Sequence, residues 1–312
     1  LTDKAEKFGI LFNPSAGRGN ALKQKARLEG LLRALEIPFD LAVTSSEENL
    51  RTLAREGTRL YSSLVGAGGD STFQIVIEEI LRCEAGTDFG LIGLGSSNDV
   101  AREFDLDSLE KACLALKRKR TKPIDLGVVE SDGHSLRHFI GQANIGLGAH
   151  VNMYVEEISR KRRRLAACQG LVGTMGAMHA YRKKKVPLKL AVQTHAQKIE
   201  GRFVVAGFSN IRYWATGLLF NPSARPDDGR LDACLIRECP FLRLGRLALL
   251  ARRGRHVGAR EVNFLTGPEF EVHSDREFEV QADGEIIRSG RTPALFTKVR
   301  IRTLPQALRL IC

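Results

Sequence analysis

Leu64-Val65-Gly66-Ala67-Gly68-Gly69-Asp70-Ser71-Thr72 is the stretch on which the reading of this chain turns. The apolar run from Leu60 to Val65 reads as a buried strand that enters a glycine-dense turn. Beyond the turn, Phe73, Val76, Ile77, Ile80 and Leu81 recur at helical spacing, which predicts a helix with one apolar face. Ser71 and Thr72 are residue types that cap a helix N-terminus. A strand, a glycine turn and a helix start together make an anion site. Glycine lets backbone approach the ligand, and unpaired N–H groups favour negative charge. Asp70 suits a phosphate cradle only with a divalent cation between the two charges, which points to a nucleoside triphosphate with magnesium. The same residues also read as a plain strand-to-helix turn, and this stretch alone does not choose.

Working outward, the same arrangement recurs. Phe8 to Phe12 has strand character and runs into Asn13-Pro14-Ser15-Ala16-Gly17. Leu22, Leu28, Leu31, Leu32 and Leu35 mark an amphipathic helix that must stop before Pro38. Phe39 to Val43 is a second strand leading to Thr44, and a polar helix follows over about Ser46 to Glu56. Phe89 to Leu94 ends in Gly95-Ser96-Ser97-Asn98-Asp99 and another helix start. Strands alternating with helices imply an α/β domain with a parallel sheet covered on both faces. Ligands bind such sheets where strands end and helices begin, so the turns at Asn13, Gly68 and Gly95 form one site if they converge.

Character changes after Lys122. Strand-like segments run from Pro123 to Val129, His138 to Val151, Val186 to Gln193, Lys198 to Ser209, Leu218 to Phe220 and Leu231 to Ile236. Phe270 to Val272, Glu277 to Ala282 and Ala294 to Ile301 continue the series. Short spacing with turn residues between them predicts an antiparallel, sandwich-like sheet, interrupted by helices over about 162–182 and Phe241 to Arg252. The expected domains are residues 1–122 and 123–302, with the tail 303–312 returning to the first.

Composition narrows the function classes. Of 312 residues, 43% are hydrophobic and 27% charged, as in a globular protein long enough for two cores. No apolar run reaches membrane-spanning length, and Leu1 to Lys7 lacks the apolar core of a signal peptide. The six cysteines form no CxxC pair and read as reduced thiols, so a cytoplasmic location is expected. A net charge of +12 calls for acidic partners. The charge clusters at Lys117 to Arg120, Arg160 to Arg164, Arg182 to Lys185 and Arg252 to Arg255. Aromatics amount to only 6%, without the aromatic-glycine signature of an RNA reader, so no nucleic acid is expected. There is no GxxxxGK[ST], no third glycine after Gly17-Arg18-Gly19 and no HExxH.

Taken together, the turns resemble the diacylglycerol kinase catalytic family, with its bacterial lipid kinases and sphingosine kinases. Asn13-Pro14-Ser15-Ala16-Gly17 matches its NPxAG, and Gly68-Gly69-Asp70-Ser71-Thr72 matches its GGDGT. Gly95 through Arg102 resembles GTxNDxAR, and Pro123 through Gly127 resembles the strand entering the second domain. Asn144 through Gly148 is similar to the strand after that. Asp228-Gly229-Arg230-Leu231-Asp232 resembles the late DGxLD turn, and Asp283-Gly284-Glu285 the terminal DGE. One motif would be weak, since GGDGT is shared with NAD kinases and phosphofructokinases; seven in order are specific.

The resemblance implies an ATP- and Mg2+-dependent lipid kinase that phosphorylates a lipid hydroxyl such as that of diacylglycerol. Its active site would lie in a cleft between an α/β nucleotide domain and a β-rich lipid domain. ATP contacts fall on Asn13, Pro14, Ser15, Ala16, Gly17, Thr44, Gly68, Gly69, Asp70, Ser71, Thr72, Phe73, Gln74, Ile75, Ser96, Asn98 and Glu285. Asp70, Asp99 and Asp125 would hold magnesium and water near the phosphates, and Asp283 would be the general base. A structural magnesium is implied at Asp228, completed by backbone carbonyls of Arg225 and Arg230. The substrate would be met at an anionic membrane surface, with the protein peripherally attached there. Arg160 to Arg164 and Arg182 to Lys185 would bracket a docking helix. Oligomeric state is left open, a homodimer included.

Departures from the pattern bear on activity. Ser71 replaces the last glycine of GGDGT, and at φ > 0 a serine would be strained. Gln74 and Ile75 stand where the family has Asn-Glu, and Gly93 and Ser96 replace its Pro and Thr. Two alternatives therefore accompany the lipid kinase: an NAD-kinase-like enzyme with a soluble substrate, and a non-catalytic nucleotide- or membrane-binding relative.

Overall fold

The computed structural model describes residues 4–161 and 169–312. The chain divides into two compact units. Unit 1 comprises Leu1–Asp125, Ala215–Gly217 and Pro305–Cys312; unit 2 comprises Leu126–Trp214 and Leu218–Leu304.

Unit 1 alternates strand and helix: β1 (Phe8–Phe12), α1 (Asn20–Ala34), β2 (Phe39–Val43), α2 (Glu47–Leu60), β3 (Ser63–Gly68), α3 (Asp70–Cys83), β4 (Asp88–Gly93), α4 (Asp99–Glu103) and α5 (Leu109–Arg118). Its strands lie in the order β2-β1-β3-β4, all parallel. Beyond β4 the chain's last strand joins in parallel, with Leu310 beside Phe89. β1 and β3 are buried along their whole length, as a sheet covered on both faces requires. On one face Ile10, Phe12, Val65 and Ile92 pack against Leu28 and Leu32 of α1 and Cys113 and Leu116 of α5.

Two local expectations change here. The strand does not begin at Leu60: that residue closes α2 and is 58% exposed, and the strand runs from Ser63 through both glycines to Gly68. Nor do Ser71 and Thr72 cap α3. Gly69 is its N-cap, so both lie inside the first turn.

The polypeptide enters unit 2 along β5 (Thr121–Ser131) and continues through β6 (His134–Phe139), β7 (Gln142–Gly146), α6 (Leu147–Lys161), α7 (Gln169–Arg182), β8 (Leu188–Gln193) and β9 (Lys198–Ser209). Next come β10 (Tyr213–Trp214), β11 (Leu218–Leu219), β12 (Leu231–Arg237), α8 (Phe241–Ala251), β13 (Val262–Gly267) and β14 (Glu269–Phe278). β15 (Val280–Ala282), β16 (Glu285–Ile286), β17 (Arg288–Ser289) and β18 (Thr292–Pro293) follow, and β19 (Phe296–Ile311) runs on past Leu304 into unit 1. The strands are antiparallel about β9, whose first half pairs with β8 and whose second half pairs with β7 and β12. One face carries a continuous apolar core from Phe139, Ile145, Val192, Phe208, Phe270 and Val299. On a second core Leu147, Val204, Phe220, Ile236 and Leu247 meet.

The segment expected as strand from His138 to Val151 is strand only as far as Gly146, where φ is +87° and a side chain would collide with the Val204 carbonyl. α6 begins at the next residue. β13 lies outside the expected segments, because its Asn263 and Thr266 interrupt the apolar pattern. Asp132-Gly133, both at positive φ, form the hairpin turn between β5 and β6.

Candidate active site

In unit 1 the three turns do converge. The Asn13 N–H donates to the Ala67 carbonyl at 2.9 Å, and its side-chain Nδ2 donates to Thr72 Oγ1 at 3.0 Å. Its Oδ1 accepts from the Ser15 N–H at 3.0 Å, closing an Asx turn over Pro14. Gly17, Arg18 and Gly19 follow with φ of 57°, 60° and 84°, and a Cβ on Gly17 would stand 2.5 Å from the Leu94 carbonyl. The second and third turns touch through backbone alone, since a Cβ on Gly95 would come within 2.6 Å of the Gly69 Cα. Asn98, itself left-handed at φ 52°, returns Oδ1 to the Gly95 N–H at 2.8 Å. Glycine is thus required where turns meet, and two asparagine side chains brace the loops around them.

The unit 1 carboxylates expected at the site have protein partners. Asp70 Oδ1 accepts from the Val100 N–H at 3.4 Å, so its charge is met in part by the start of α4. Asp99 Oδ2 accepts from the Thr216 N–H at 3.0 Å, and Oδ1 lies 3.3 Å from Arg102 Nη1. Ala215, Thr216 and Gly217 are successively left-handed, at φ 48°, 70° and 91°, a nest whose N–H groups face an anion. Burial raises the Asp99 pKa against those donors. Asp125 is buried and accepts from the Gln306 N–H at 2.8 Å, tying β5 to the returning strand.

Side chains differ in what they offer a ligand. Phe73 and Ile75 are core residues, Phe73 edge-on to Phe89, and buried Gln74 donates to Glu78 at 3.1 Å. These three could meet a nucleotide only through backbone. Thr44 is also buried and donates its N–H to the Phe12 carbonyl. Ser71 and Ser96 are exposed. Ser71 is helical and not among the residues with positive φ, so the strain expected of a serine there is absent.

In unit 2, Asp283 and Gly284 (φ 46° and 86°) form the two-residue turn joining β15 to β16. The Asp283 carboxylate is fixed by three consecutive backbone donors. Oδ1 accepts from Gly141 and Gln142, both at 2.9 Å, and Oδ2 accepts from Ile140 at 2.7 Å. A carboxylate oxygen accepts two bonds, so these donors fill Oδ1 and leave one position on Oδ2. Burial pushes the carboxyl up to about 6, against those donors and the charge of Arg137. A group so placed, titrating near neutrality, can take a proton from a hydroxyl. Glu285, next to the turn, is exposed. At the other late turn, Asp228 is exposed, its Oδ1 accepts from the Arg230 N–H at 3.0 Å, and Gly229 has φ 73°. Arg225 turns its guanidinium to Asp227 at 3.4 Å. Among the described residues, no three His, Cys, Asp or Glu side chains gather as a metal cluster.

Sequence reasoning did not find the Ile140-Gly141-Gln142 cradle or the Ala215 to Gly217 nest. Both act through backbone N–H groups, which side-chain identity does not report. Gly141 was the available signal, since a Cβ there would stand 2.7 Å from Asp283 Oδ1.

Comparison with known proteins identifies the family. Residues 7–129 match the diacylglycerol kinase catalytic domain, and residues 141–312 match the YegS C-terminal NAD kinase beta sandwich-like domain. The chain belongs to the diacylglycerol kinase catalytic family. It is 30% identical over 271 residues to the "Probable lipid kinase YegS-like" of Pseudomonas aeruginosa, covering 86% of this chain and 82% of that protein. It is 26% identical to a diacylglycerol kinase of Mycobacterium tuberculosis, over 90% of this chain and 91% of the other. A diacylglycerol kinase crystal structure from Bacillus anthracis shares the fold at a TM-score of 0.71 and 17% identity, covering 99% of this chain and 98% of that one. The family is one of kinases with lipid kinases among its members, and the α/β and β-rich units are its two domains.

The expected docking clusters are described only in part. Arg162 to Arg164 lie outside the described residues, as do the first residues of the bracketed stretch. Arg182 ends α7, and the carbonyls of Lys184 and Lys185 accept from the Arg276 guanidinium at 3.1 and 2.9 Å. No described helix is long and apolar enough to cross a membrane. Cys83, Cys113, Cys234, Cys239 and Cys312 are unpaired.

Proposed function

We propose that the protein is an ATP-dependent lipid kinase that transfers the γ-phosphoryl group to a hydroxyl of a diacylglycerol-like lipid. The observation that carries this is the Asp283 cradle: a carboxylate locked by three backbone N–H groups, one acceptor position open, its pKa raised to about 6. The acceptor hydroxyl loses its proton to Asp283 Oδ2 as its oxygen bonds to phosphorus and the β–γ bridging oxygen leaves with ADP. The converged turns of unit 1 supply backbone N–H groups for the nucleotide phosphates, with Asn13 and Asn98 holding their shape.

Magnesium fits a subset of the expected ligands. Asp70 stands at the phosphate turn and would hold the ion brought in with ATP, neutralising phosphate charge. Asp99 and Asp125 serve the nest and the returning strand in the structure, and we assign them to architecture. Exposed Asp228 with the Arg225 and Arg230 carbonyls remains a hard-oxygen set suited to magnesium.

The test is phosphorylation of a total lipid extract with labelled ATP and identification of the product by mass spectrometry. A labelled phosphatidic acid is expected, and Asp283→Asn should lower its formation about a hundredfold or more with ATP binding kept. Formation of NADP from NAD, or ATP binding without turnover on any lipid, would replace this reading with one of the two alternatives.

A further inference from the structure

α8 and the turn behind it present an unusual surface. From Phe241 to Arg260 the chain carries six arginines and no acidic residue. The helix is held by its inner face. Leu247 and Ala251 are buried, the Phe241 ring stands edge-on to Tyr181, and buried His256 Nε2 bonds the Phe220 carbonyl at 2.9 Å. Its outer face exposes large apolar side chains where a solvated helix would carry polar ones: Leu242 is 86% exposed, Leu249 67%, and Val257, just beyond the helix, 51%. Leu242 and Leu249 are seven residues apart, hence on one side of the helix and about 10 Å apart along it. Arg246 lies between them on that side, and Arg252, Arg253 and Arg255 follow at the C-terminal end. Arg243 is occupied by Glu261, at 3.0 and 2.9 Å. Arg246, Arg252, Arg253 and Arg255 have no acidic partner among the described residues.

We propose that this face is where the protein seats on an anionic bilayer, Leu242 and Leu249 entering the headgroup boundary and the four arginines meeting lipid phosphates. The proposal deepens the lipid-kinase reading and rests on it, since it supplies the route to a substrate that stays in the membrane. A basic helix with exposed leucines on its outer side is the composition of an interfacial helix. Charge selects among occupants. A second copy would bring arginines against arginines, whereas an anionic surface rewards each arginine by roughly fivefold in partition.

Two variants separate the parts: Leu242→Asn with Leu249→Asn, and Arg246→Gln with Arg252→Gln and Arg253→Gln. Co-sedimentation with vesicles of phosphatidylcholine containing about a third phosphatidylglycerol is the measurement. Wild type is expected to bind these, to leave pure phosphatidylcholine vesicles largely unbound, and to release with salt. Each variant should lose about tenfold or more in partition, the arginine variant with a shallower salt dependence. Wild-type binding unchanged in both variants would overturn the proposal, as would wild type failing to bind. Loss in the arginine variant alone would make the contact one of charge without insertion, and would overturn it too. A change of mass in solution in the leucine variant would assign the face to a second copy instead. Activity on a short-chain diacylglycerol dispersed in detergent should be unchanged in both variants. If wild type is inactive there, the kinase reading fails while vesicle binding is scored separately.

Discussion

Gly141 shows how narrowly one residue sets the chemistry. Its N–H donates to Asp283 Oδ1 at 2.9 Å, and a methyl group in place of its hydrogen would lie 2.7 Å from that oxygen. Gly141→Ala must therefore move the carboxylate or the strand end. Turnover should fall at least tenfold with the melting temperature little changed; unaltered kcat would show that the cradle is not what positions Asp283. The same carboxyl sets a pH dependence. With a folded pKa of about 6 and an unfolded value near 3.9, activity should decline about tenfold per pH unit below about 6. Between the two values the folded protein holds a proton that the unfolded chain has released, so this group's contribution to stability is lost as pH rises through that window. Asp283→Asn should remove that limb from a denaturation-against-pH curve. Ser71 is the opposite case. It is exposed and helical, so Ser71→Gly relieves no strain and costs up to about 1 kcal/mol of helix stability. The KM for ATP should stay within about twofold, measured beside a urea melt; a large drop in KM would mean that the side chain crowds the phosphates.

At the level of elements, the site is a meeting of strand ends, and Asn13 shows how they are joined. Its one side chain closes the turn after β1 and reaches Thr72 in α3. Asn13→Ala removes both bonds, each worth about 1 kcal/mol, and should raise the KM for ATP several-fold more than it lowers kcat. An effect on kcat alone, in steady-state kinetics at saturating lipid, would argue that this turn is not part of the nucleotide site. These turns were legible because glycine and asparagine in runs after apolar strands have few other uses. The element ends were less so. β3 extends to Gly68 because Gly66 lies against the Phe73 and Phe89 rings and Gly68 against Thr72, a tertiary reason that local propensity does not carry. α6 begins at Leu147 after a glycine turned by the Val204 carbonyl, another long-range cause. That Asp70 also meets the Val100 N–H is not legible locally, because the donor lies thirty residues away.

For the whole molecule, the chain leaves unit 1 at Asp125, contributes Ala215–Gly217 to it, and comes back to it for good at Pro305. The returning strand buries Leu308, Leu310 and Ile311, sets Leu310 beside Phe89, and pairs Arg309 with Asp88. Three buried aliphatic side chains contribute about 5–9 kcal/mol at roughly 1.5–3 each, comparable with the total stability of about 5–15 kcal/mol for a whole domain. A fragment of residues 1–125 should therefore melt without a cooperative transition, the edge of β4 being uncovered. The Gln306 N–H sits 2.8 Å from the Asp125 carboxylate, so a short glycine linker from Asp125 to Pro305 can restore the strand in place. That fusion should recover a cooperative circular-dichroism melt. If the bare fragment melts cooperatively at the temperature of the fusion, the returning strand is an ornament of unit 1 and the unit folds without it.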